Sequence, residues 1–213
     1  MMPFLPKHYS RILEIGCAEG NFRENLSKEN EYWGVEPNVS IAAIASKKLD
    51  KVLIGTYQEI YNQIPNDYFD LVICNDVIEH MADHDEFFLS IKKKIKKDGY
   101  LVASIPNVRY LLNISDILVK KDWEYKDDGI LDRTHLRFFT KKSLMRTIIN
   151  NGFIIEKIEG INPYKGASGL KRYLYYLAIL LFGYDVRFMQ FGTCLRYVGP
   201  FNEPHQVTAN RTQ

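Results

Sequence analysis

Short apolar runs alternate with helix-patterned segments through the first half of the chain, and this alternation restricts the fold more than any other feature. Ile12–Ile15, Tyr32–Val35, Val52–Ile54, Phe69–Cys74 and Tyr100–Ser104 are apolar at nearly every position, as parallel strands covered on both faces are. Helical patterns fall between them: Phe22–Lys28, Ile41–Lys48 with Ser40 as the expected N-cap, and Phe87–Lys97 ending at Asp98-Gly99. Repeated βα order predicts a doubly wound α/β sheet. After Pro106 the rhythm breaks. Residues 107–140 read as a helical and loop insertion, with a helix-like piece over Val108–Lys121 and a polar, aromatic stretch ending at Phe138-Phe139-Thr140. Thr140 is placed to cap a helix over Lys141–Asn150 that closes at Asn151-Gly152. Phe153–Glu159 and Thr193–Val198 read as strands, and the polar tail after Gly199 as frayed.

A chain of 213 residues with no repeat or low-complexity linker predicts one domain. Its core would span about 10–160, with a C-terminal helix and last strand over 161–200. Lys plus Arg number 28 and Asp plus Glu 26, a net charge of +2, which argues against a nucleic-acid partner. The run Lys92-Lys93-Lys94 with Lys96-Lys97 reads as a solvated helix face. Cys17, Cys74 and Cys194 fit no zinc or disulfide spacing and read as free thiols in a reducing compartment. The N-terminus lacks a signal-peptide pattern. The most apolar stretch, Leu174–Phe182, is about half the length that spans a bilayer. A cytoplasmic protein without stable membrane insertion is therefore expected.

The densest chemical signal is Glu14-Ile15-Gly16-Cys17-Ala18-Glu19-Gly20, where the first strand ends and a helix is expected to open. Small residues let a ligand lie against the backbone, outside the carboxyl end of a strand. A dinucleotide fingerprint reads G-x-G-x-x-G. Here the spacing is one residue shorter, and an acid precedes it, which discourages a pyrophosphate and suits a ligand bearing positive charge. Glu36-Pro37, ending the second strand, supplies an acid able to accept both ribose hydroxyls. Together these features ask for a nucleoside without a diphosphate, and a dinucleotide oxidoreductase is disfavoured.

Residues 10–160 resemble the class I S-adenosylmethionine-dependent methyltransferases. The resemblance rests on Glu14–Gly20, on Glu36, on Phe69-Asp70-Leu71-Val72-Ile73-Cys74-Asn75-Asp76-Val77-Ile78-Glu79-His80 and on Leu101–Pro106. It implies a Rossmann-like, mostly parallel seven-stranded sheet with an antiparallel last strand, and S-adenosyl-L-methionine as cofactor. It also implies cofactor contacts at Glu14, Gly16, Cys17, Ala18, Gly20, Glu36, Pro37, Asn75 and Asp76. Thr56 and Tyr57 hold the adenine-side position, where many members carry an acid, so that hydrogen bond is expected from a backbone or hydroxyl group. The family has several tens of residues before its first strand. About ten stand here, so the cofactor is covered by the 107–140 insertion, by a partner chain or only poorly, and the insertion is the expectation.

Methylating a hydroxyl needs a positioned base. Asp132-Arg133-Thr134-His135-Leu136-Arg137 supplies an imidazole at His135 and a carboxylate at Asp132 to orient it. The stretch, with Trp123 and Tyr125 before it, resembles methyltransferases of bacterial surface polysaccharide biosynthesis. That likeness implies a glycan or sugar-precursor acceptor; the bland reading is that His135 and Arg137 only anchor a loop. Asp76, Glu79 and His80 resemble a divalent-metal set of quinone-ring O-methyltransferases, but a plain polar cluster is the expectation and no metal is assigned. A non-catalytic scaffold subunit is the alternative outside enzymes. Leu170–Phe182 is expected to be buried on the sheet or on a sister subunit, as in a homodimer, with a surface that meets a lipid-linked acceptor as the alternative.

Overall fold

The computed structural model describes residues 1–166 and 168–199. Seven strands form one sheet: β1 (Arg11–Ile15), β2 (Glu31–Glu36), β3 (Lys51–Ile54), β4 (Phe69–Asn75), β5 (Ile95–Pro106), β6 (Ile154–Pro163) and β7 (Phe188–Arg196). Their spatial order is β3-β2-β1-β4-β5-β7-β6. The first five pair in parallel, and β7 runs antiparallel between β5 and β6. The doubly wound sheet with an antiparallel last strand is therefore present as the sequence implies.

The near-continuous apolar runs fill both faces. On one, Leu13, Val35, Val72, Leu101 and Ala103 pack with Phe87, Phe88, Leu144 and Ile148. On the other, Ile12, Tyr32, Leu71, Ile73 and Val102 pack with Phe4, Ala45 and Leu49. Each fully buried side chain of this size stabilises the fold by roughly 1.5–3 kcal/mol. The helices are α1 (Val39–Ala45), α2 (Tyr57–Ile60), α3 (His84–Ile91), α4 (Leu111–Ser115), α5 (Lys141–Asn150) and α6 (Leu170–Phe182). Thr140 caps α5 through Ser143, as expected.

Five local readings are corrected. After β1 there is a short 3₁₀ turn, Asn21–Asn25, rather than a helix to Lys28. The Arg23 guanidinium donates to the Ser27 and Lys28 carbonyls at 2.7 and 2.9 Å, which ties the loop after the turn back onto it. The cap of α1 is Asn38, whose side chain accepts from Ser40 and Ile41, rather than Ser40. Helix α3 ends at Ile91, and Ile95–Lys97 already belong to β5. Asp98-Gly99 marks an irregularity in the β4–β5 pairing, with Asp98 at φ +63°. A Cβ on Gly99 would stand 3.1 Å from the Asp70 carbonyl oxygen. Consequently the lysine run is not a solvated helix face. Lys94 is buried, and its ammonium donates to the Ile64 carbonyl and Asn66 Oδ1 at 2.8 Å each. Finally, Val108–Lys121 is not one helix: α4 passes into a π-helical turn, Asp116–Lys120, closed by Lys121 at φ +57°. The tail expected to fray after Gly199 lies outside the described residues.

Candidate functional site

A cavity of about 590 Å³ opens at the carboxyl ends of β1, β2, β3 and β4, where the parallel strands deliver their loops. Ile15, Gly16, Glu36, Pro37, Thr56, Tyr57, Asn75 and Asp76 line it. Gly16 sits at φ +70°, and a Cβ there would come 2.7 Å from Val77 Cγ2, so both the backbone conformation and the packing call for glycine. Glu36 is buried at the end of β2. One carboxylate oxygen accepts from Ala18 N at 3.1 Å and the other from Asn38 N at 2.9 Å. The carboxylate is thereby fixed in position, and each oxygen keeps acceptor capacity for a hydroxyl.

The other residues of the glycine loop shape it without lining the cavity. Glu14 is buried beneath the loop and accepts from the Tyr32 hydroxyl at 2.8 Å. Burial raises its carboxyl to about 7, and the Tyr32 hydrogen bond partly offsets that. The Cys17 side chain fills the space over Gly34, where a Cβ would lie 2.5 Å from its sulfur. Ala18 adopts φ +46° and aims its N–H at Glu36. Gly20 packs against α1, with the Ala45 Cα and Leu49 side chain 3.2–3.4 Å from a notional Cβ.

At the β3 end of the cavity the hydroxyls of Thr56 and Tyr57 are both engaged elsewhere. Thr56 caps α2 in a reciprocal pair with Glu59, and the Tyr57 hydroxyl donates to Ser90 at 3.1 Å. Gln58, Met81, Ala82, Asp83 and Glu86 complete that wall; the sequence reading did not name them, because nothing but their place after β3 and β4 marks them. The expectation that residues 107–140 cover the cofactor is corrected: the second wall comes from residues 75–86, and the insertion stands behind His80. The cavity suits an adenosyl sulfonium. Asn75 Oδ1 is buried without a hydrogen-bond partner and belongs to a residue lining this cavity, where a donor group of a ligand would satisfy it.

The predicted base segment is brought to the end of β4. Leu136 N and Arg137 N both donate to the Glu79 carbonyl, at 2.8 and 3.0 Å, which ties 132–139 to the turn Ile78–His80. His135 is buried, its ring 4.7 Å from that of His80, edge to face. His135 Nδ1 lies 2.9 Å from the Ile130 carbonyl, so that nitrogen carries the proton and Nε2 is left as a base. Nε2 stands 3.9 Å from Glu79 Oε1. Asp132 does not orient this ring: its carboxylate accepts from the Thr134 N–H and hydroxyl at 2.7 and 2.6 Å. Those two groups lie one residue closer in the chain and form an Asx-type turn.

Glu79 is fully buried, and neither carboxylate oxygen has a hydrogen-bond partner. Burial pushes its carboxyl up to about 8. A metal set of Asp76, Glu79 and His80 is not what the fold assembles. Asp76 accepts from Gln190 at 2.5 Å, whereas ligand-capable atoms of Glu79, His80 and His135 lie within 4.8 Å of one another. Beyond His135, a recess is lined by Tyr125, Arg133, Leu136 and Phe138, with Trp123 5.2 Å from Phe138. A larger cleft of about 860 Å³, beside Arg109, Lys141, Tyr184 and Phe188, shares no lining residue with the strand-end cavity.

The model of a methyltransferase-domain family matches residues 2–158. The chain is 28% identical over 178 residues to the mitochondrial ubiquinone biosynthesis O-methyltransferase of Schizosaccharomyces pombe, covering 75% of this chain and 64% of that protein. It is 25% identical over 170 residues to the corresponding enzyme of Rickettsia bellii, covering 74% and 69%. The chain thus spans about two thirds of the length of these relatives. Among solved structures it resembles a SAM-dependent methyltransferase from Archaeoglobus fulgidus, with a TM-score of 0.68, 21% identity, and coverage of 92% of this chain and 89% of that one. It also resembles a possible histamine N-methyltransferase from Thermotoga maritima, with a TM-score of 0.61, 22% identity, and coverage of 92% and 84%. With a glycine-loop cavity at the carboxyl edge of a 3-2-1-4-5-7-6 sheet and the family match over most of its length, the chain belongs to the class I S-adenosylmethionine-dependent methyltransferases, with S-adenosylmethionine as its cofactor.

Proposed function

We propose that the protein transfers the methyl group of S-adenosylmethionine to a hydroxyl oxygen of a cyclic acceptor. The observation that carries this reading is the Glu79–His80–His135 cluster at the end of β4, beside the cofactor cavity. In the transfer the carbon–sulfur bond breaks as the carbon–oxygen bond forms, and the hydroxyl proton passes to a base. The cofactor supplies the reactivity when bound, and the protein supplies alignment and proton acceptance. Gly16, Glu36, Pro37, Thr56, Tyr57, Asn75 and Asp76 hold the cofactor. Glu14, Cys17, Ala18 and Gly20 shape the loop. His135 Nε2 is the base, and Glu79, rather than Asp132, is the acid paired with it.

The acceptor class favoured by the relatives is a hydroxylated quinone-type ring. A sugar hydroxyl of a surface-polysaccharide precursor is the second reading. It is supported by the exposed aromatic faces of Trp123 and Tyr125 around the recess, which suit a sugar ring. The three cysteines are buried free thiols, in keeping with action in a reducing compartment such as the cytoplasm. The test is formation of S-adenosylhomocysteine with each acceptor class, with and without a chelator. Turnover of hydroxylated quinone precursors alone supports the first reading, and turnover of sugar precursors alone supports the second. No product with either fits a scaffold role. Loss on chelation that an added divalent ion restores would assign a cation to Glu79, His80 and His135, where it would polarise the acceptor oxygen.

A further inference from the structure

Beyond Arg172, helix α6 is apolar around its whole circumference, and a helix of that kind is ordinarily buried on all sides. Here one side alone rests on the protein. Tyr175, Ala178 and Ile179 face inward, and the Tyr175 ring packs tilted against Tyr164 at 5.7 Å, which in turn meets Tyr110 edge to face. The other side carries Tyr173, Leu174, Tyr176, Leu177, Leu180 and Leu181, which at helical spacing form one continuous stripe. Their exposures run from 49% at Leu177 to 81% at Leu180. Monomeric proteins rarely leave such a contiguous apolar face in water. The helix has 13 residues, and among the described residues no helix is long and apolar enough to cross a membrane.

Charge selects among the possible covers. From Gly160 to Tyr184 the sequence contains Lys165, Lys171 and Arg172 and no acidic residue. A second copy of the chain docking by the same face would bring like charges together, since a two-fold contact pairs a patch with itself. Asp185, just beyond the helix, is already paired with Arg109 at 3.0 Å. The tyrosines at 173, 176 and 184 have the amphipathic character that suits a membrane–water boundary. The helix also joins the catalytic end of the molecule: Arg109, just after β5, donates to the Phe182 carbonyl, and Gln190 of β7 donates to Asp76.

We infer that the exposed face of α6 seats the enzyme on the surface of an anionic lipid bilayer, lying in the interface without spanning it. Docking there presents the carboxyl edge of the sheet to acceptors carried in the membrane. The inference goes beyond the acceptor class proposed above and does not depend on it.

The test is flotation of the full-length protein with vesicles of phosphatidylcholine alone and with added phosphatidylglycerol. Expected is partition onto the anionic vesicles that weakens with salt. Leu180→Glu and Leu181→Glu should each lower it by about 10-fold, the loss of one buried leucine. Arg172→Glu should lower it less. Both leucines are exposed, so circular dichroism and S-adenosylmethionine binding should match the parent protein, which separates a failure of docking from a failure of the enzyme reading. Absence of partition onto any vesicle would overturn the inference. So would equal partition onto both vesicle types, or a dimer in sedimentation velocity that Leu180→Glu splits while vesicle binding is absent.

Discussion

The two halves of the sheet's carboxyl edge are built by different means. On the β1–β2–β4 side the strand-end cavity is made by local backbone geometry: Gly16 at φ +70°, Ala18 at φ +46°, and a Glu36 carboxylate pinned by two N–H groups. On the β4–β5–β7 side the Glu79–His80–His135 cluster is made by contacts across long sequence separations. The Glu79 carbonyl receives two N–H groups from residues 136 and 137, and Ile130 fixes the His135 tautomer. The first kind of site is pre-formed by the sheet itself. The second exists only if the insertion docks, so it is the part a sequence can vary to change the acceptor while the cofactor stays the same.

Substitutions should separate the halves. The largest effect is expected from His135→Ala, which should lower turnover by about 10²–10⁴-fold, the usual contribution of a general base, with cofactor affinity nearly unchanged. A variant with full activity would remove His135 from the mechanism. Glu36→Ala should do the reverse, weakening S-adenosylmethionine binding by roughly 10–100-fold through lost charge-assisted hydrogen bonds. Calorimetry measures this directly, and an unchanged affinity would mean the ribose lies elsewhere.

Glu14 connects the cofactor side to stability. Its folded-state carboxyl titrates near 7, above its ordinary value, because it is buried. The folded chain therefore binds more protons than the unfolded chain between those values. The stability contributed by this group is full below the ordinary carboxyl range and is lost as pH rises toward 7. Glu14→Gln should remove that slope, a difference on the order of 2 kcal/mol between pH 4.5 and 7.5 in denaturant titrations. Parallel curves for the two proteins would contradict the burial argument. The smallest effect is expected from Asp132→Asn. Its carboxylate serves Thr134 in an exposed turn, so initial rates should change by less than about threefold. A loss comparable to that of His135→Ala would restore Asp132 as the orienting acid.

How far the sequence could be read follows the same division. Strands apolar on both faces and a glycine-rich strand exit are local patterns, and they placed the sheet and the residues lining its edge. Boundaries were missed where a distant group intervened. Lys94 looked like one of five surface lysines until its ammonium met the Ile64 carbonyl and Asn66, and Asp98-Gly99 looked like a helix end rather than a bulge. The pairing of His135 with Glu79, 56 positions apart, has no local signature. Asp132, three residues from His135, is the nearer candidate in sequence, but its carboxylate accepts from Thr134 instead. Leu170–Phe182 read as a helix to be buried on the sheet or on a sister subunit, yet one side stands bare in this chain, because apolar composition does not say what a helix packs against.

The strand-end cavity is the place for an adenosyl group with a cationic sulfur if the enzyme works as proposed, and titration calorimetry tests this most directly. One-to-one binding of S-adenosylmethionine and of S-adenosylhomocysteine, with no heat from a nicotinamide dinucleotide, is the predicted result. Binding of the dinucleotide, or of neither sulfur compound, would contradict it.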